Sequence, residues 1–149
     1  TVILYDGSLE DPTQVVTIRV FWRPRAGTTP IDSNATNAAI HHVIFAGDER
    51  NEVGIYSGAG YVFPSVKFGK AALNGSVWQA TLTMADHSDR FNDLLGQSTV
   101  KGDFSARRDD AAVDRVLKKL NVLISQRLGY PRLVDQDEPA SATIRTRDL

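Results

Sequence analysis

Cysteine is missing from this chain of 149 residues, and methionine occurs only once. Without cysteine there is no disulfide, no thiolate metal site and no cysteine nucleophile. The compartment stays open on this ground, because exported bacterial domains and cytosolic proteins can both lack cysteine. An excess of one charge is also missing. The chain carries 17 Lys and Arg against 18 Asp and Glu, a net charge of −1. No global field therefore draws nucleic acid or anionic lipid, and a basic stripe is absent. No apolar run approaches the roughly 18 residues that a membrane-spanning helix needs. Signature motifs are absent as well: no phosphate loop, no GxGxxG opening a helix, no GxSxG serine elbow and no HExxH. No internal repeat or low-complexity tract appears.

What remains is ordinary in amount, at 42% hydrophobic and 23% charged residues, and suits a single globular domain with a real core. The firmest local signal is a helix over Asp110–Leu128. Val113, Val116, Leu117, Leu120, Leu123, Ile124 and Leu128 recur at helical spacing and form one stripe. Asp109 or Asp110 suits the cap, Gly129 suits a left-handed exit, and Pro131 cannot continue the helix. Val122 falls outside the stripe and Arg127 inside it, as a snorkelling arginine or, alternatively, a buried ion pair or anion site.

Before that helix the chain reads as strands. Residues 2–5 suit an edge strand. Residues 15–22 alternate, with Val16, Ile18, Val20 and Trp22 on one face. A long loop rich in Gly, Thr, Pro, Asn and Ser follows over 24–37. Ala38–Ala46 is apolar on both faces, as a covered central strand would be. Residues 52–63 alternate again, with Gly54, Gly58 and Gly60 on one face. Asn74-Gly75 predicts a two-residue hairpin turn that pairs Leu73 with Ser76, Ala71 with Trp78 and Gly69 with Ala80. Trp78 would then share an apolar face with Leu73, Ala80, Leu82 and Met84. Residues 88–95 read as a short helix capped by Ser88, and 99–106 as a last strand.

These elements predict an α+β fold, a mostly antiparallel β-sheet packed against a long C-terminal amphipathic helix. The alternative is a β-sandwich with an appended C-terminal helix. Residues 1–132 form the single domain in this scheme, and 133–149 a polar, flexible tail.

The densest polar cluster is Asp86-His87-Ser88-Asp89, with Arg90 and Asp93. Asp86 could orient His87 as a general base, and Asp86, His87 and Asp89 could support metal-assisted chemistry. The same residue types are good caps, and capping is the stronger reading. His41 and His42 are neighbours on a strand and point to opposite faces. A site using all three histidines of the chain would need both members of that opposed pair, so no metal site is expected. Arg107 and Arg108, ahead of Asp109-Asp110, sit where a helix start can hold an anion, with local ion pairing as the plainer account. Asp103 could pair with either arginine. Tyr56 and Tyr61, interleaved with glycines, could stack on a sugar or a peptide if exposed. Asn34-Ala35-Thr36 and Asn74-Gly75-Ser76 fit the glycosylation pattern, which matters only in a eukaryotic secretory setting.

The expected function is a non-enzymatic exported or cell-envelope domain that binds or assembles. Its partner would be an unknown protein or small molecule, with no nucleic acid, no cofactor and no transmembrane span. A start at Thr1 without methionine fits a removed leader, so a bacterial, periplasmic placement is expected, with room for a lipid anchor upstream. The alternatives are a metal-assisted hydrolase or isomerase using Asp86, His87 and Asp89, and a carrier of small apolar ligands around Trp22, Trp78 and Tyr61.

Overall fold

The computed structural model describes residues 1–24, 35–66, 72–132 and 134. Six strands follow one another: β1 (Val2–Gly7), β2 (Pro12–Val20), β3 (Ala38–Ala46), β4 (Glu52–Val66), β5 (Ala72–His87) and β6 (Ser98–Arg107). Among the described residues one α-helix, α1 (Asp110–Leu128), follows them. Each strand pairs antiparallel with its neighbours in sequence, in the order β1-β2-β3-β4-β5-β6. The sheet curls into a half-barrel. β1 and β6 approach each other across the open side but do not pair.

The curl has local causes. The register shifts at Asp6/Gly7, Ile55/Tyr56, Tyr61/Val62 and Val77/Ala80, and each such irregularity bends and twists its strand. Glycines let backbones and rings come close on the concave side. A Cβ at Gly54 would lie 2.2 Å from the Phe91 ring, and one at Gly75 would lie 2.4 Å from the Phe104 ring. The enclosed inner core is built from Val2, Ile18, Ile40, Tyr56, Val62, Val77, Leu82 and Phe104 with their neighbours.

This arrangement overturns the layered α+β expectation, and the sandwich alternative with it. The described strands form one sheet, and its larger core lies within its own curl rather than under a helix. Alternation showed which residues share a face but not that the face closes on itself. α1 instead covers one end of the outer face, where Leu120, Ile124 and Val134 pack with Val15, Val43, Phe45, Val53 and Ile55. The helix is 19 residues long, and only Leu120, Asn121 and Ile124 are buried along it. A long amphipathic lid is therefore not what covers this sheet; Val122 is 54% exposed.

The helix ends are as its residues suggest. The Asp109 carboxylate accepts from the Ala112 amide at 2.9 Å. Gly129 exits left-handed at φ 79° and donates to the Ser125 carbonyl. Arg127 is engaged within the fold: its Nε donates to the Arg50 carbonyl at 2.7 Å, and its guanidinium lies 5.2 Å from the Phe45 ring centre. That contact secures the tight turn Asp48–Arg50, in which Glu49 and Arg50 take positive φ. Arg50 also binds Asp11 through both the carboxylate and the carbonyl of that residue.

Two further local expectations fail for related reasons. Asn74-Gly75 is no hairpin turn, because β5 runs straight through it: Asn74 pairs with Ser65 and Gly75 with Pro64. Gly75 serves the Phe104 ring rather than a left-handed turn. The expected partners Gly69 and Ala71 lie outside the described residues. Residues 88–95 form no helix. Ser88 is held at the strand end, donating its amide to the Val53 carbonyl at 2.9 Å and accepting from the Val53 amide at 3.0 Å. The chain then turns so that Phe91 tucks over Gly54. Of the expected polar tail only Val134 is described beyond Arg132; it is buried, and its amide donates to Asn121 at 2.8 Å.

Candidate functional site

The Asp86 cluster is drawn apart by strand alternation. Asp86 pairs with Ile55 and His87 with Gly54 as consecutive residues of β5, so the two face opposite sides of the sheet. Asp86 Oδ1 accepts from the Tyr130 hydroxyl at 2.5 Å, and Oδ2 lies 3.5 Å from Arg132 Nε. The carboxylate raises the Tyr130 phenol above its ordinary range through that hydrogen bond. Its role here is to tether the segment after α1. His87 turns its Nδ1 to the Ser88 carbonyl at 3.0 Å. Asp89 is exposed. Asp86 therefore orients the His87 backbone amide, which it accepts at 3.0 Å, and not the imidazole.

Asp93, three residues beyond Arg90, has the more specific position. Its Oδ1 accepts from the Tyr56 hydroxyl at 2.6 Å and from the amides of Leu95 and Gly96 at 3.1 and 2.9 Å. The loop thereby closes one end of the half-barrel over a tyrosine that is 1% exposed. Burial first, and Asp93 second, push the Tyr56 phenol up to about 12. The same hydrogen bond, helped by the Gly96 amide, holds Asp93 below the usual carboxylate range. Tyr56 is enclosed, so its ring offers no stacking surface.

His41 and His42 face opposite sides, as strand geometry requires. His42 contacts Gln14 at 3.0 Å and neighbours the Tyr56 ring; burial lowers its pKa. His41 Nδ1 lies 2.8 Å from Ser57 Oγ, a nucleophile–base distance that sequence reading missed because the two residues are joined only by the register of β3 on β4. Acyl chemistry also needs donors aimed at a developing oxyanion, and Ser57 sits mid-strand with ladders on both sides. Among the described residues no three His, Asp or Glu side chains are placed to hold a metal ion. Arg107 ends β6 in an exposed position, and among the described residues Arg108 reaches Asp110, at 3.4 Å. Asp109 already fills the helix start.

The feature that does converge is aromatic. Tyr61 is the hub: its ring centre lies 5.9 Å from Trp22, 4.9 Å from Phe63 and 6.5 Å from Trp78. Phe63 and Trp78 also meet, at 6.2 Å. The hub is buried at 3% exposure, whereas Trp22 and Trp78 are 42% and 52% exposed. Trp78 faces outward because of the bulge between Val77 and Ala80, which turns Val77 into the core in its place. This corrects the inward position expected for Trp78. Tyr61 lies six residues along β4 from Ile55, beneath the helix, or roughly 20 Å at strand rise. The helix therefore does not wall this cluster.

Beside it lies a shallow cavity of about 500 Å³ lined by Phe63, Ser76, Val77, Trp78, Gly102 and Asp103. A buried clamp stands behind the cluster. Asn37 donates to the carbonyls of Trp22 and Val62 at 3.1 and 2.8 Å and accepts from the Val62 amide at 2.7 Å. Trp22 is held to the sheet by that contact. Sequence reading placed Trp22, Tyr61 and Trp78 near one another but inside a cavity; their meeting on an open face depends on bulges that leave no compositional trace.

The chain matches no protein-family model, no curated protein and no solved structure. No helix among the described residues is long and apolar enough to cross a membrane.

Proposed function

We propose that the chain is a non-enzymatic binding domain that meets its partner through the aromatic face around Tyr61. The observation that supports this is the pair of half-exposed tryptophans, Trp22 and Trp78, set on a buried tyrosine. Large exposed apolar clusters on a folded domain are uncommon, and they mark interaction surfaces. Tryptophan and tyrosine are also the residues that contribute most per contact in binding. In support of a binding role, Asp86 holds the segment after α1 and Asp93 holds the loop over Tyr56.

Tryptophan emission tests the proposal. Titration with soluble oligosaccharides, peptides and lipid vesicles should shift the spectrum for one of these classes, and the response should vanish in Trp78→Ala. Emission indifferent to all of them, together with a hydrolase or isomerase turnover that His87→Ala abolishes, would reverse the assignment. An exported or envelope location is a separate proposal, read by fractionating the source cells.

A further inference from the structure

We infer, on the strength of the binding role proposed above, that the cavity beside Trp78 is a site for a neutral saccharide. Its size, about 500 Å³, is that of small-ligand sites, which span about 300–1,000 Å³. Its lining has two unlike halves. Phe63 and Trp78 form an apolar wall, with ring planes inclined at 43°. Ser76 and Asp103 form a polar wall, fixed to the first by register: Phe63 pairs with Ser76, and Ser76 with Asp103, in one row across three strands.

A pyranose ring has the matching halves. One face of C–H groups stacks on an indole, and a rim of hydroxyls needs acceptors and donors. Asp103 is exposed, and neither its side chain nor that of Ser76 has a hydrogen bond or ion pair among the described residues. An ionised carboxylate only accepts, through two oxygens, and so can take two adjacent sugar hydroxyls; the serine hydroxyl both donates and accepts. The position above Gly102 is open, since a Cβ there would meet nothing within 4 Å.

Other ligand chemistries fit less well. An anionic group would be set against Asp103. An organic cation would suit Trp78 and Asp103 but would leave the Ser76 hydroxyl on the same wall unused. A purely apolar ligand would leave the carboxylate desolvated without a partner.

Titration of the full chain with cello-, chito- and malto-hexasaccharide, followed by tryptophan emission and calorimetry, tests the inference. At least one should bind, Trp78→Ala should abolish the binding, and Trp78→Phe should keep part of it. Asp103→Asn leaves an exposed position folded and should weaken binding by roughly tenfold or more, the loss of charge-assisted hydrogen bonds. Choline binding in place of the saccharides would overturn the inference, as would saccharide binding indifferent to Asp103→Asn. If no saccharide binds at millimolar concentration but an apolar peptide shifts Trp78 emission, the saccharide assignment falls and the binding domain stands. If no probe binds, both fall.

Discussion

Replacing Gly58 with alanine adds a single methyl group, and in most strands that change is mild or favourable. Alanine restricts the unfolded chain, which stabilises a compatible site by about 0.4–1 kcal/mol. At Gly58 the geometry reverses the sign. The new Cβ would lie 1.8 Å from the Thr81 carbonyl oxygen, 2.9 Å from its carbon and 3.0 Å from Leu82 Cδ2. The nearest atoms belong to backbone and cannot rotate away, so β4 and β5 must part where Gly58 pairs with Leu82. Overpacking of this kind costs about 1–3 kcal/mol, and each ladder hydrogen bond given up adds about 1 kcal/mol. After the unfolded-state gain, a net loss of about 2–3 kcal/mol is expected. For a domain of this size that lowers Tm by about 4–12 °C. Urea unfolding should show the same loss as a lower midpoint with an unchanged slope, the mark of a stability change rather than a looser native state. A variant as stable as the parent would refute the close approach of β4 and β5, and with it the account of how the sheet curls.

Asn37→Ala should cost about 2–4 kcal/mol, because it leaves the buried Val62 amide and carbonyl without their partner; denaturant midpoints read the loss, and Trp22 emission should move to a more solvated position. Leu120→Asp puts a charge where the leucine is 2% exposed. It should unfold the outer core, and circular dichroism showing an intact helix would mean that α1 is not anchored there. The pH responses follow from the shifted groups. Tyr56 is raised in the fold to about 12, so its contribution is complete below the unfolded value of about 10 and is lost as pH climbs through 12. Tyrosinate absorbance should rise together with unfolding in that window, and Tyr56→Phe should remove the coupling. Asp93 and His42 are both lowered in the fold, so they contribute above their unfolded values, and the contribution drains away as pH falls. Acid titration of Asp93→Asn, followed by thermal melts, should show a shallower loss than the parent.

Much of the strand and helix content could be read ahead of the structure, for reasons that differ by element. Ala38–Ala46 and Asp110–Leu128 were bounded correctly because their punctuation is local: polar turn residues at one, a capping aspartate and an exit glycine at the other. Asn74-Gly75 misled because the same glycine that suits a tight turn also suits a ring lying flat on a strand. Ser88 misled because its capping hydroxyl found a strand amide instead of a helix start. Bulges were invisible, and they decide most of what matters to the candidate site. The extra residue at Trp78 turns that indole outward. The ties between Tyr56 and Asp93, or Tyr130 and Asp86, join positions 37 and 44 residues apart. No periodicity within a single segment encodes them.

The strand order, each strand beside its sequence neighbour, bears on how the domain acquires its shape. No pairing has to wait for a distant partner, so the entropy of closing large loops is met in small instalments. Topologies of this kind fold faster than those that cross over. The sheet can grow strand by strand from either side of the β3–β4 pair, and a nascent chain emerging from the ribosome can add each hairpin as it appears. α1, which packs on strands already in place, comes last in the chain. A truncation before Asp110 should therefore leave a sheet that still forms quickly but, lacking its outer core, persists for less time.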